Sequence, residues 1–298
     1  MIGDSCASGT AQVSGTRGMS STNRRRDVMR LWRDSSLTDG LELLRASCFD
    51  FSYPAHFHTE FTIAAFVRGA QRHRVSRHEG IAEAGTVMII QPGEVHRGEA
   101  VERDQGWDYC AFYPSARFLE QIAEDALGGH GGIDFGRDVL RHDPTIARDL
   151  LRANTMMAAS TDVLERQCAA YETFGAVIAR YGQRTRRRPG RSSSRATMRH
   201  AVAFLEEHHD RPMTVGEIAA VAGLSEYHFM RSFRAETGLS VHRYLTQVRI
   251  RRAKALLARG VSAAETALSV GFFDQSHLIN QFRVHLGITP GSFVAASK

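Results

Sequence analysis

Apolar residues along the chain fall into successive patterns that predict different structure. From about Leu41 to Tyr113 they come as short β-branched and aromatic runs broken by glycines, such as Phe61-Thr-Ile-Ala-Ala-Phe-Val67 and Thr86-Val-Met-Ile-Ile90. This is the signature of an antiparallel sandwich or small barrel. After Pro114 the period becomes helical, with Phe118, Ile122 and Leu127 on one face, then Ile146, Leu150 and Leu151. The stretch from Val163 to Tyr181 places Leu164, Cys168, Tyr171, Phe174 and Ile178 at spacings of three and four, an apolar stripe that needs a partner. The last hundred residues are helical throughout. The expected fold class is therefore α+β, with an N-terminal barrel, a helical segment and a C-terminal all-α domain.

Polar segments set the boundaries. Residues 1–23 are rich in Ser, Gly and Thr and cannot bury enough surface to offset the entropy of ordering, so a disordered tail is expected. Arg184-Thr-Arg-Arg-Arg-Pro-Gly-Arg-Ser-Ser-Ser194 has no apolar residue and carries the Pro, Gly and Ser of a flexible connector. The expected organisation is thus a tail over 1–27, a barrel over 28–115, helices over 116–183, a basic flexible linker over 184–195 and a helical domain over 196–298.

Charge sharpens this division. The net charge is +6, but residues 184–298 carry 18 Lys+Arg against 8 Asp+Glu, leaving 20 against 24 for residues 1–183. The positive field belongs to the C-terminal part, as expected of the part that meets phosphate. No apolar run approaches the roughly 20 residues of a membrane span, and the N-terminus lacks the apolar core of a signal peptide, so a cytoplasmic location and no membrane partner are expected. Cys6, Cys48, Cys110 and Cys168 form no close pair, which argues against a zinc cluster or a disulfide framework.

The C-terminal segment repeats itself. One copy runs from Ala219 to Gly238 and the other from Ala267 to Gly287. Each has an alanine four positions before a glycine (Ala219 and Gly223, Ala267 and Gly271), then His228-Phe229 or His277-Leu278, then Phe233-Arg234 or Phe282-Arg283, and a closing glycine. Small residues let two helices approach at a steep angle, and a glycine takes the bend. Ser225 and Asp274 are suited to cap the second helix of each pair. Phe229 and Phe233, or Leu278 and Phe282, face the core. The opposite face is free for a DNA groove, showing Tyr227, Met230 and Arg231 in the first unit and Gln275, Ser276 and Asn280 in the second, with His277 at the edge. Gln and Asn pair with adenine edges, Arg with guanine, and apolar groups with the thymine methyl. One long helix from Val241 to Ala258 would hold the two units apart, so that both enter successive major grooves of double-stranded DNA.

These residues resemble the AraC/XylS family of transcription regulators over about 197–293. Arg249-Ile-Arg-Arg-Ala-Lys-Ala-Leu-Leu257 is similar to the family's connecting helix, and Val270-Gly-Phe-Phe-Asp-Gln-Ser-His-Leu278 with Gly287-Ile-Thr-Pro290 to its signature over the second unit. The resemblance implies base contacts from Tyr227, Met230, Arg231, Gln275, Ser276, His277 and Asn280. Asn280 stands where the family usually has Arg, and Thr266 where a buried Ile is common, which implies weaker readout by the second unit.

Pro54-Ala-His-Phe-His58, Gly69, Gly85 and Pro92-Gly-Glu-Val-His96 resemble the two motifs of a cupin barrel, the family's usual sensor domain. In metal-binding cupins two histidines of the first motif, a following carboxylate and the histidine of the second converge on one ion. Here Glu60 follows His58 by only two positions, closer than that pattern places it. The reading favoured is a barrel mouth that receives a small-molecule effector, with His56, His58, His96, Arg72 and Tyr109 among its polar groups. No metal or other cofactor is expected and no catalytic residue is assigned. The alternatives are metal bound without catalysis, a metal-dependent cupin enzyme with an accessory DNA-binding domain, and histidines that merely close strand ends. The resemblance further implies a homodimer formed through the helices of 116–183, and RNA polymerase as a partner if the protein is an activator.

Overall fold

The structure, a computed structural model, describes residues 26–127, 131–185 and 193–296. Eight strands come first: β1 (Val28–Asp34), β2 (Leu41–Cys48), β3 (Tyr53–His56), β4 (Thr62–Val75), β5 (His78–Glu83), β6 (Thr86–Ile90), β7 (His96–Ala100) and β8 (Trp107–Tyr113). Helix α1 (Ala116–Leu127), strands β9 (Gly132–Asp134) and β10 (Leu140–His142), helices α2 (Pro144–Ala159) and α3 (Val163–Tyr181) and strand β11 (Gln183–Thr185) follow. The C-terminal domain is α4 (Ser193–Glu207), α5 (Val215–Val221), α6 (Glu226–Thr237), α7 (Val241–Ala258), α8 (Ala263–Ser269), α9 (Gln275–Leu286) and α10 (Pro290–Ala296).

All ladders are antiparallel. One path runs β1-β2-β8-β4-β6-β10, while β3 pairs β7, and β7 and β5 pair β4. The barrel closes because β4 serves both sides: residues 62–65 pair β6, residues 63–69 pair β8, and residues 70–75 pair β5 and β7. The bend sits at Gly69, at φ 67°, where an added Cβ would lie 1.9 Å from the Gly106 carbonyl oxygen, so no other residue fits. Alternation along β4 then sorts its side chains. Ile63 and Ala65 face the helices, whereas Ala64 and Phe66 face the barrel interior.

On the helical side, Phe118, Leu119 and Ile122 of α1 pack with Phe174, Val177 and Ile178 of α3, and with Ile146 and Leu150 of α2. Each fully buried side chain of this kind contributes roughly 1.5–3 kcal/mol. Arg166 of α3 reaches Asp34 at 2.8 Å, and Gln167 donates to the Ser36 carbonyl at 2.8 Å, fixing α3 to the β1–β2 turn.

The apolar stripe expected on α3 is divided. Phe174 and Ile178 are buried, but Leu164, Cys168 and Tyr171 lie exposed, Leu164 at 67%. The α+β architecture agrees with the sequence; two details differ. Short strands β9 and β10 interrupt the region read as purely helical, because β10 extends the sheet beside β6 and β9 pairs β11. The expected linker is also shorter at both ends, since Arg184 pairs Ile133 across the β11–β9 ladder and α4 already begins at Ser193. Most of the linker, and the tail before Arg26, lie outside the described residues. The end of the expected tail is held, because the Asp27 carboxylate accepts from the backbone N–H of Phe49 and Asp50.

Candidate DNA interface and effector cavity

Both repeats form helix-turn-helix units, α5 with α6 and α8 with α9. Gly223 and Gly271 take positive φ at the bends, 62° and 86°, and Gly238 and Gly287 close α6 and α9 in the left-handed conformation. Phe229, Phe233, Leu278 and Phe282 are all fully buried. Asp274 caps α9 by accepting from the His277 N–H at 2.7 Å. Ser225 stands at the N-cap of α6 without a side-chain cap bond. The first unit rests on α4 and the start of α7, and the second on the rest of α7 and on α10. Arg249 of α7 is half-buried and donates to the carbonyls of His209 and Arg211, welding the second unit to the loop that opens the first. The 18 residues of α7 span about 27 Å at 1.5 Å per residue.

The predicted reading faces are free. Met230 is 45% exposed, and Arg231, Gln275, Ser276, His277 and Asn280 are exposed. Tyr227 lies on α6, but its side chain is outside those described. Thr266, where the resemblance implied a departure, is fully buried on α8 and its hydroxyl has no hydrogen-bond partner.

In the barrel, three of the predicted effector residues converge. His56 at the end of β3, His58 just beyond it and His96 at the start of β7 bring one ring nitrogen each within 4.8 Å of one another. His56 pairs His96 across the β3–β7 ladder, and their rings are 4.2 Å apart. The His56 Nδ1 lies 2.7 Å from the Pro54 carbonyl and the His96 Nδ1 3.0 Å from the Glu94 carbonyl. A carbonyl only accepts, so both rings carry a proton on Nδ1. Burial, with the Glu94 hydrogen bond opposing it, holds the His96 imidazole down at about 4. Burial, followed by the neighbouring imidazoles, pushes His56 and His58 well below the ordinary histidine value. All three rings are neutral at pH 7.

His56 and His58 stand between two spaces, and His96 lines the inner one. Inward is a chamber of about 40 Å³, lined also by Gln71, His73, Tyr109 and Tyr113. There Tyr109 donates to the Tyr53 hydroxyl at 2.7 Å. Outward is a cleft of about 160 Å³ between the barrel and the DNA-binding domain, lined by His56, His58, Glu60, Lys254 and His285 among others. Arg72 joins neither. It is exposed on the outer face of β4, because its inward neighbours are Gln71 and His73 and adjacent strand residues point to opposite faces. Its expected place among the effector-binding groups is therefore corrected. Alternation along β4 turns Gln71 and His73, not Arg72, into the chamber.

Sequence reasoning also missed the contact between barrel and DNA-binding domain. Gln247 of α7 accepts from the Phe57 N–H at 3.1 Å and donates to the Ala55 carbonyl at 3.2 Å. The Phe57 ring stacks on Tyr244, centroids 5.0 Å apart. Lys254 of α7 pairs with Glu42 of β2, and Met29 of β1 closes on Gly287.

Residues 40–174 match the model of the AraC-like ligand binding domain, and residues 218–296 that of a helix-turn-helix domain. Among curated relatives, the HTH-type transcriptional regulator YbfI of Bacillus subtilis is 26% identical over 76% of this chain and 81% of its own. The HTH-type transcriptional activator RhaS of Escherichia fergusonii is 24% identical over 80% of this chain and 86% of its own. Among solved structures, apo ToxT of Vibrio cholerae has the same fold, with a TM-score of 0.55 at 11% identity over 91% of this chain and 98% of its own. A ligand-binding barrel joined to two helix-turn-helix units, matched by relatives along most of its length, makes this chain a DNA-binding transcription regulator of the AraC/XylS family.

Proposed function

We propose that this regulator responds to a small molecule held at the rim of the barrel, against His56, His58 and His96, and that its occupancy is felt directly by α7 and α9. The observation that carries this reading is the double role of the segment 53–58. His56 and His58 line the chamber and the cleft, while the backbone of Ala55 and Phe57 is held by Gln247. His285 and Leu286, at the end of the second recognition helix, line the same cleft. A ligand that distinguishes two arrangements of this contact shifts the population between them, and one that binds both equally does nothing.

In this reading Met230 and Arg231 of α6, together with Tyr227, and Gln275, Ser276, His277 and Asn280 of α9 meet base edges. The exposed stripe of Leu164, Cys168 and Tyr171 on α3 pairs with a second copy, so that a homodimer presents four units to DNA. Where the protein activates, RNA polymerase is the further partner, and a cytoplasmic location follows from that work. Among the described residues no helix is long and apolar enough to cross a membrane. We favour a regulator over a cupin enzyme because no carboxylate joins the three histidines among the described residues.

The deciding experiment maps the operator by sequencing DNA bound to the full chain, then follows a reporter from that operator while candidate small molecules are added. The His56→Ala, His96→Ala double variant should keep its effector-free affinity for the operator and lose the response. A variant that still responds normally places sensing elsewhere.

A further inference from the structure

We propose that His56, His58 and His96 form a binding site for one divalent transition-metal ion at the rim of the barrel. The group stands out first by its chemistry. Three half-buried imidazoles meet with no carboxylate or phenol hydrogen-bonded to them among the described residues, although a buried polar ring nitrogen ordinarily finds a partner. The Nδ1 protons of His56 and His96 are donated to carbonyls only two residues back in the chain. That arrangement fixes ring orientation and tautomer, as the outer partners of a metal-bound histidine do, and one ring nitrogen of each of the three lies within 4.8 Å of the others. His58, packed against the Tyr113 ring at 4.6 Å, completes the triangle.

Three neutral nitrogen donors select a particular class of ion. Imidazole suits Zn²⁺, Co²⁺, Ni²⁺ and Cu²⁺, whereas Mg²⁺ and Ca²⁺ require oxygen ligands that are missing here among the described residues. With three protein ligands, at least one coordination position stays open. The cleft beside His56 and His58 is the space from which solvent or a ligand oxygen reaches it. The site shares its histidines with the proposed effector cavity, yet the inference concerns metal binding alone and does not depend on the effector's identity.

The test uses the purified full chain, stripped with chelator and titrated with Co²⁺, with Zn²⁺ as competitor. We expect one equivalent per chain with the visible absorption of a low-coordinate nitrogen-ligated ion, displaced by Zn²⁺. His58→Ala and, separately, His96→Ala should weaken binding roughly 100-fold or more, while Arg72→Ala, on the outer face, leaves it unchanged. Circular dichroism checks that each variant folds. Should one of them unfold, Cu²⁺ bound to the wild-type chain gives an independent answer through the nitrogen hyperfine pattern of its paramagnetic resonance. No saturable binding, binding that survives both histidine variants, or a spectrum without nitrogen ligands would each overturn the proposal. A reporter response that fails while the metal still binds one equivalent would count against the effector reading and leave the metal site standing.

Discussion

Gln247 holds Phe57 across 190 residues of sequence, accepting its N–H at 3.1 Å while donating to the carbonyl of Ala55. One side chain thus ties the helix between the two DNA-reading units to the segment that carries His56 and His58. Each such hydrogen bond is worth about 0.5–1.5 kcal/mol. Gln247→Ala should loosen the contact by roughly 1–3 kcal/mol and raise effector-free operator affinity by about 5-fold or more, while blunting any response to effector. Operator titrations of variant and wild type, with and without the barrel's ligand, check this. Unchanged affinity and response together would mean that the contact carries no signal.

Arg231 stands on the exposed face of α6, free of the core that Phe229 and Phe233 fill. Arg231→Ala should cost roughly 1–3 kcal/mol at the cognate operator and far less on random DNA. Titrations on both DNAs at one salt concentration decide the matter. Equal losses on the two would make Arg231 a phosphate contact.

Leu164, Cys168 and Tyr171 present apolar surface from one side of α3. If this stripe joins two copies, Leu164→Glu with Tyr171→Ser should weaken the dimer at least about 10-fold, because truncated aromatic anchors at interfaces commonly cost more than 1 kcal/mol. Sedimentation over a concentration series reads the change. Circular dichroism checks that the variant folds, because the half-exposed Tyr171 ring also meets the buried Phe118 with centroids 5.4 Å apart, and a dimer of undiminished strength would locate the interface elsewhere.

Asp34 supports the barrel's junction with α3. Burial raises its carboxyl, but the hydroxyl and N–H of Ser36 and the Arg166 guanidinium outweigh that and hold it below the ordinary value. Its stabilisation is therefore complete above the unfolded carboxylate value and fades as pH falls through the lower folded one. Asp34→Asn should cost about 3 kcal/mol near neutral pH, because Arg166 would be left nearly buried without its partner. Urea melts across the acid range should show the difference between wild type and variant shrinking as pH falls. A constant difference would mean that Asp34 acts through its shape rather than its charge.

Much of this was legible in the sequence, and the exceptions share a cause. The helix-turn-helix units were visible because the repeat writes each bend, cap and buried Phe twice within short stretches. The histidines could be grouped because Pro54-Ala-His-Phe-His58 and Pro92-Gly-Glu-Val-His96 resemble a known pair of motifs. Arg72 was misplaced by one residue, and in a strand one residue is the whole distance between inside and outside. Gln247 gave no local sign, since both its partners come from the other domain. The exposure of Leu164, Cys168 and Tyr171 was equally hidden, because periodicity shows that a stripe needs cover and not who supplies it.

The division of the 55–58 segment between pocket and reader has a consequence for how such a sensor changes over generations. Substitutions at 56 and 58 alter what the pocket accepts, and those at 55 and 57 alter how firmly the reader is gripped, with little trespass of one on the other. Selection can therefore exchange the signal while keeping the switch. A single-residue insertion in that segment, by contrast, would displace the histidines and the partners of Gln247 relative to one another and lose both at once.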